Sequence, residues 1–112
     1  MNIDFDNPKH ERLVNDYEAL SKHFNKKKGT DSAFDIIATL DVLKAAISLA
    51  NVPPSFRPHP LKGPYKGCFA VDVDKVHRVI FKPNHEGDSA YRIDKYQSIK
   101  NILIIEIFKD YH

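Results

Sequence analysis

The sequence predicts an α+β domain in which a helical pair covers one face of a mostly antiparallel sheet of four or five strands. Apolar residues recur at helical spacing in the first half of the chain and alternate with polar residues in the second half. A short alternating segment at 2–6 adds a strand before the helices. Because either half of a 112-residue chain is marginal as an independent unit, we expect residues 1–112 to form one domain.

The N-terminal segment predicts a strand followed by a helix. Ile3 and Phe5 alternate with polar neighbours, as in a half-buried strand. Asn7-Pro8 is typical of a helix N-cap followed by proline at the first helical position. The apolar residues that follow are spaced by three and four positions and predict one face of a single helix. These residues are Leu13, Tyr17, Leu20 and Phe24.

A lysine-rich break at 26–30 separates this helix from a second one. Its lysines suit the negative end of a helix dipole, and its glycine suits a turn. Asp31 or Ser32 is expected to cap the second helix, and Pro53-Pro54 lies just past its end. Its predicted apolar face comprises Ile36, Ile37, Leu40, Leu43, Ile47 and Ala50. Two helices with a short link form a helical hairpin.

The second half of the chain carries the strands of the predicted sheet. Residues 69–73 alternate in polarity, 74–75 are expected to reverse the chain, and 76–82 form the antiparallel partner. A further strand is predicted at 90–96. The segment 102–108 is the most apolar, which predicts an inner strand or one packed on both faces.

Composition excludes several classes of protein. The net charge is +2 with 42% hydrophobic residues, which argues against a disordered chain and against a strongly basic nucleic-acid-binding tail. No apolar run approaches the roughly 20 residues of a membrane-spanning helix, and the acidic N-terminus does not resemble a signal peptide. The single cysteine favours a reducing cytoplasm. The charge is uneven, at −1 for 1–56 and +3 for 57–112.

Candidate chemistry is concentrated in two segments and one strand. The loop 57–67 is rich in proline, polar and basic residues, and the segment 108–112 carries an apolar strand into ionisable side chains. Arg78 lies between them, on a strand with apolar neighbours. The six histidines show no metal-ligand spacing, so neither a metal nor a cofactor is predicted.

Four short segments in this order carry a resemblance to a known family. They are HPLKG at 59–63, KGCFAV at 66–71, HRVIF at 77–81 and the closing DYH at 110–112. Together they resemble the RelE/ParE superfamily of toxins, and most of all its HigB-like "plasmid maintenance killer" branch. The resemblance covers about residues 57–112 by motif, whereas the first half matches only through its helical hairpin.

The resemblance implies a ribosome-dependent mRNA endonuclease that is paired with a helix-turn-helix antitoxin. Such enzymes use no metal, because the 2′-hydroxyl of the RNA attacks the adjacent phosphate. This reaction needs a base, an acid and cations, which are chemistries that the two segments supply. The implied catalytic residues are His59, Lys62, Arg78, Asp110, Tyr111 and His112. The implied RNA-binding residues are Arg57, Lys66 and Lys82.

Within that set, the assignment of acid and base stays open. His59 and His112 are the first choice for the pair, Asp110 would orient an imidazole, and Tyr111 would stack on a base or donate a proton. A competing hypothesis is a non-catalytic or ParE-like binding protein on the same fold, such as a topoisomerase inhibitor. Outside the set, His77 is expected to pack across strands, His85 to be exposed in a turn, and Cys68 to be a small core residue.

Overall fold

The computed structural model describes residues 1–25, 31–85 and 92–110. Within these ranges it contains three helices and one five-stranded sheet with the strand order β1-β5-β4-β3-β2. The strands are β1 Asn2–Phe5, β2 His59–Pro60, β3 Phe69–Asp72, β4 His77–Pro83 and β5 Asn101–Asp110. The helices are α1 Pro8–Val14, α2 Tyr17–Phe24 and α3 Ser32–Ala45. Among the described strands only β1 and β5 pair in parallel, so the predicted α+β fold with a mostly antiparallel sheet is confirmed.

The first helix begins where it was predicted, but it does not continue as one helix. Asn7 accepts a hydrogen bond from the Lys9 N–H at 2.9 Å, with Pro8 in the first turn. The predicted single helix is wrong, because Asp16 adopts an extended conformation and caps a new helix by accepting from the Ala19 N–H at 3.2 Å. Tyr17, predicted for the apolar face, is therefore 47% exposed.

The third helix is capped by Asp31, which accepts a hydrogen bond from the Phe34 N–H at 3.1 Å. It ends at Ala45, because Ala46 adopts an extended conformation. Ile47 and Ala50, predicted for its apolar face, thus lie beyond it, and Ile47 is 76% exposed. The lysine-rich link at 26–30 lies outside the described residues.

The hydrophobic core lies between the helices and one face of the sheet. Alternate residues of a strand point to opposite faces. The residues that face the helices are Phe69 and Val71 of β3, Val79 and Phe81 of β4, and Ile102, Ile104 and Ile107 of β5. Ala70, Asp72, Arg78 and Ile80 consequently point to the second face. No helix of the described residues is long and apolar enough to cross a membrane.

Strand β5 is an inner strand, as predicted, with β1 on one side and β4 on the other. Its pairing with β4 is irregular at two places, between Arg78 and Ile80 and between Ile80 and Phe81. At each place β5 carries one residue more than β4, which is the definition of a β-bulge. The result is that Lys109 lies opposite Arg78 and Glu106 lies opposite Ile80.

Two other sequence predictions are wrong. The predicted strand at 90–96 is absent from its described part, where a turn leads into a 3-10 helix at Tyr96–Ser98; residues 90–91 lie outside the described ranges. His85 is buried rather than exposed, at 8%. Its Nε2 accepts hydrogen bonds from the main-chain N–H groups of Lys100 at 2.9 Å and Asn101 at 3.1 Å, which ties the end of β4 to the start of β5.

Candidate functional site

The proline-rich loop enters the sheet through a left-handed residue. A 3-10 helix at Pro54–Phe56 ends at Arg57, which has φ 51° and ψ 53° and donates its N–H to the carbonyl oxygen of Pro54 at 2.9 Å. Among described non-glycine residues, Arg57 is the one with positive φ. This conformation costs a residue with a side chain about 1 to 2 kcal/mol. Strain of this kind persists where the surroundings enforce it, which is frequently at a functional site.

The two-residue strand β2, which the sequence did not predict, places His59 on the second face of the sheet. His59 lies opposite Ala70. Its Nδ1 is 2.6 Å from the carbonyl oxygen of Arg57, and its Nε2 is 3.3 Å from Nη1 of Arg78. A carbonyl only accepts and a guanidinium only donates. Both contacts therefore require the same tautomer, with the proton on Nδ1 and the lone pair on Nε2.

A row of charged side chains crosses three strands beside this histidine. Asp72 of β3 lies opposite Arg78 of β4, which lies opposite Lys109 of β5. Asp72 also lies near Arg57, with Oδ2 at 3.6 Å from Nη1. The Asp72 side chain is 18% exposed, against 64% for Arg57. Asp72 therefore forms an ion pair with Arg57 of the loop and lies beside Arg78 on the neighbouring strand.

The loop that follows β2 folds back over the same face and closes a pocket of about 270 Å³. Gly63 has φ +66° at the start of a 3-10 helix, Gly63–Tyr65, that turns the chain there. Three cations and one carboxylate surround an apolar floor. The lining residues are Leu61, Lys62, Pro64, Tyr65, Arg78, Ile80, Lys109 and Asp110. Such a pocket suits an anionic group that is attached to an apolar or aromatic body.

The structure brings together most of the predicted site residues whose positions it describes. Lys62, Arg78 and Asp110 line the pocket, and His59 contacts Arg78 directly. Arg57 contacts this group twice: its guanidinium lies near Asp72, and its carbonyl oxygen lies near Nδ1 of His59.

The remaining predicted residues lie elsewhere. Lys66 is exposed beyond the pocket. Lys82 lies opposite Leu103, four residues along β4 from Arg78 and thus about 13 Å away. Tyr111 and His112 fall outside the described residues.

Three polar residues of the site are not among the predicted site residues, namely Tyr65, Asp72 and Lys109. A signal for Asp72 exists in the hairpin itself. A reversal centred on residue 75 pairs Asp72 with Arg78, as observed, whereas the two-residue reversal predicted at 74–75 pairs it with residue 77. An error of one position in a turn moves every cross-strand partner.

The thiol of Cys68 and the potential metal ligands also bear on the chemistry that this protein can perform. Burial raises the pKa of the half-buried Cys68 thiol, so little of the nucleophilic thiolate exists at neutral pH. Among the described residues, no group of three or more His, Cys, Asp or Glu side chains is arranged to hold a metal ion.

No protein-family model and no curated protein sequence matches the chain significantly. Solved structures do match it. The YoeB-YefM complex from Staphylococcus aureus aligns over 100% of this chain and 97% of its own, with 20% identity and a TM-score of 0.52. A YoeB/ParE toxin from Agrobacterium tumefaciens aligns over 100% of both chains, with 14% identity and a TM-score of 0.54.

A YafQ mutant from E. coli aligns over 98% of this chain and 92% of its own, with 18% identity and a TM-score of 0.52. All three likenesses extend over nearly the whole chain, including the first half, where the sequence motifs gave no resemblance beyond a helical hairpin. The chain therefore has the fold of the RelE/ParE toxins.

Proposed function

We propose that residues 1–112 form the toxin of a type II toxin–antitoxin pair, of the HigB-like branch, and that it is a ribosome-dependent endonuclease of mRNA. One observation carries the proposal. The Nε2 lone pair of His59 faces the guanidinium of Arg78 at 3.3 Å, and Arg78 lines a pocket together with Lys62 and Lys109. A proton acceptor beside a cluster of cations is what phosphodiester cleavage by an internal hydroxyl needs.

The proposed reaction starts with the phosphate of the RNA on Arg78. The 2′-hydroxyl gives its proton to His59 Nε2 as its oxygen attacks the adjacent phosphorus. The P–O5′ bond then breaks, which leaves a 2′,3′-cyclic phosphate on one fragment and a 5′-hydroxyl on the other. Lys62 and Lys109 stabilise the extra negative charge of the transition state.

The leaving 5′-oxygen must receive a proton from the opposite side. Asp110 lines the pocket at the end of β5, and Tyr111 and His112 follow it in the sequence. We propose that the acid is one of these three. Arg57, Lys66 and Lys82 would follow the RNA backbone on either side of the pocket.

The proposed partners are an antitoxin, the ribosome and mRNA, and the proposed location is the cytoplasm. The Staphylococcus aureus neighbour was solved as a YoeB-YefM complex, and another structure of that pair is described as a heterotetrameric toxin–antitoxin complex. A helix-turn-helix reading frame beside this gene would support the pairing. No metal ion or cofactor enters the proposed reaction.

The test is cleavage of mRNA in a translating extract, with the fragment ends mapped by sequencing. The wild type should yield 2′,3′-cyclic phosphate ends and should arrest growth when it is induced in cells. His59→Ala should lose both effects, whereas His23→Ala, which changes an exposed histidine on α2, should retain them. Truncation after Lys109 or His112→Ala then tests the acid. A folded His59→Ala protein that still cleaves would overturn the assignment.

The competing function is a ParE-like binding protein, and one observation favours it. Asp72 places a carboxylate within the cationic cluster, which lowers the positive potential that RNA binding exploits. This hypothesis predicts toxicity without mRNA cleavage, and toxicity that His59→Ala leaves intact. The same pair of assays therefore separates the two functions.

A further inference from the structure

Arg57 bears on the site through its main chain as well as through its guanidinium. We propose that Arg57 is a positioning residue, whose left-handed main chain fixes His59 as the tautomer with an unprotonated Nε2. The claim that Arg57 fixes the tautomer of His59 depends only on contacts within the chain. The catalytic part, that this tautomer is the reactive one, rests on the proposed function.

The conformation of Arg57 determines where its carbonyl group points. With ψ at 53°, the carbonyl oxygen lies 2.6 Å from Nδ1 of His59, two residues later. Pro58 follows, and a residue before proline ordinarily adopts an extended conformation with ψ of roughly +120° to +160°. In that conformation the peptide plane would be rotated by about 70° to 110°, and the carbonyl oxygen would leave the imidazole.

Two contacts hold Arg57 in the unfavourable conformation. Its N–H closes the turn of the 3-10 helix by donating to the carbonyl oxygen of Pro54 at 2.9 Å. Its guanidinium lies 3.6 Å from the carboxylate of Asp72, whose position is set by pairing with Arg78 on the neighbouring strand. Because Arg78 in turn contacts His59, the four residues form a closed ring of contacts.

The ring explains how His59 is prepared to accept a proton. A free imidazole exchanges between two neutral tautomers, and only one of them presents an acceptor at Nε2. The Arg57 carbonyl oxygen accepts only from a protonated Nδ1, so it selects that tautomer before RNA arrives. When a phosphate takes the guanidinium of Arg78, Nε2 is left as the acceptor for the 2′-hydroxyl proton.

The test compares two substitutions that remove the same guanidinium. Arg57→Gly loses the side chain but adopts φ near 51° without strain. Arg57→Val loses the side chain and strongly disfavours that φ, because valine is β-branched. A second pair, Arg57→Asn and Arg57→Ala, repeats the contrast with milder changes, since asparagine tolerates the left-handed region better than alanine.

The first readout is the nitrogen NMR spectrum of histidine-labelled protein at a pH of about 8.5, where histidine is ordinarily neutral. His59→Asn identifies the signals. The wild type and Arg57→Gly should show the Nδ1–H tautomer alone, and Arg57→Val should show a mixture. The second readout is steady-state cleavage of mRNA on ribosomes. Arg57→Gly should raise KM and keep kcat within about threefold, whereas Arg57→Val should lower kcat by about tenfold or more.

Each outcome decides one of the two claims. An Nε2–H tautomer in the wild type, or equal tautomer populations and equal kcat in the glycine and valine proteins, would overturn the positioning role. The expected tautomers in proteins that never cleave RNA would support the positioning role and overturn the proposed function instead. If Arg57→Val does not fold, the asparagine and alanine pair gives the same decision.

Discussion

The imidazole of His77 lies flat on the ring of Phe108, with the ring centroids 3.7 Å apart and the planes inclined by 10°. The same imidazole contacts Asp74, with Nδ1 at 3.1 Å from both carboxylate oxygens. Phe108 also meets Phe24 of α2 edge to face, at 5.1 Å. The predicted cross-strand packing role of His77 is thereby confirmed, and the contacts join the β3–β4 turn, two strands and a helix.

The stack predicts a clear effect of His77 on stability. His77→Ala should lower the free energy of unfolding by about 1 to 2 kcal/mol, because it removes an aromatic pair. His77→Phe keeps the stack and should lose less. Urea denaturation measures both. Equal losses in the two variants would show that the stack contributes little and that the contact with Asp74 is the stabilising one.

Asp74 predicts a pH dependence of stability. Burial alone would raise the pKa of its carboxyl, but hydrogen bonds from the Val76 and His77 N–H groups, both 2.7 Å, and from the His77 ring lower the pKa overall. A lowered pKa in the folded state stabilises the protein above the ordinary aspartate value of about 3.9. That contribution is lost as the pH falls through the folded pKa.

The measurement is the urea midpoint of the wild type and Asp74→Asn between a pH of about 2 and 6. The wild type should be the more stable protein at the upper end of this range, and the difference should shrink as the pH falls below about 4. A difference that is constant with pH would mean that the carboxylate charge is not what stabilises the turn.

Substitution of the buried His85 should lower the stability of the protein without changing the geometry of the site. His85→Ala leaves the N–H groups of Lys100 and Asn101 without their acceptor, which should cost about 2 to 4 kcal/mol. His85→Gln offers a carbonyl oxygen in its place and should recover part of the loss. The measurement is urea denaturation, with RNA cleavage assayed below the transition. A stability equal to that of the wild type in both variants would contradict the structural role.

The charge of Lys62 should promote the binding and cleavage of RNA from its position in the pocket. Lys62→Ala should lower cleavage by about tenfold or more and should reduce the salt dependence of RNA binding by roughly one phosphate contact. Lys44→Ala is the matched control. It removes the same charge from the exposed surface of α3, on the other side of the sheet. Equal effects of the two substitutions would indicate a general charge effect instead of a contact in the pocket.

Periodicity in the sequence predicted the elements better than it predicted their ends. The spacing from Leu13 to Phe24 fits one helix, yet the side chain of Asp16 competes for main-chain N–H groups and starts a second helix. Ile47 fits the period of α3 but follows the residue at which the helix ends. At Asp16 a local cap outweighs the regular apolar pattern, and at Ala46 an extended main chain ends the helix before the apolar pattern ends.

The sequence predicted which residues belong to the candidate site better than it predicted the contacts between them. The motifs gave His59, Lys62 and Arg78, because each lies on a strand or loop with a distinct pattern. The tautomer of His59 was not predictable from the sequence, because it depends on the positive φ of Arg57. The alignment of side chains across β4 and β5 was not predictable from the sequence for a different reason. Two bulges decide that alignment, and a bulge leaves no regular mark in an alternating sequence.

The row from Asp72 to Arg78 to Lys109 has a consequence for the balance between stability and binding. Two like charges face each other across β4 and β5, which costs a fraction of a kcal/mol in the empty protein. An anion that bridges them removes this repulsion, so phosphate should raise the melting temperature more than chloride does at equal ionic strength. Lys109→Thr should abolish the difference between phosphate and chloride and should raise the melting temperature of the protein without a bound anion. The substitution would thus increase thermal stability and decrease anion affinity.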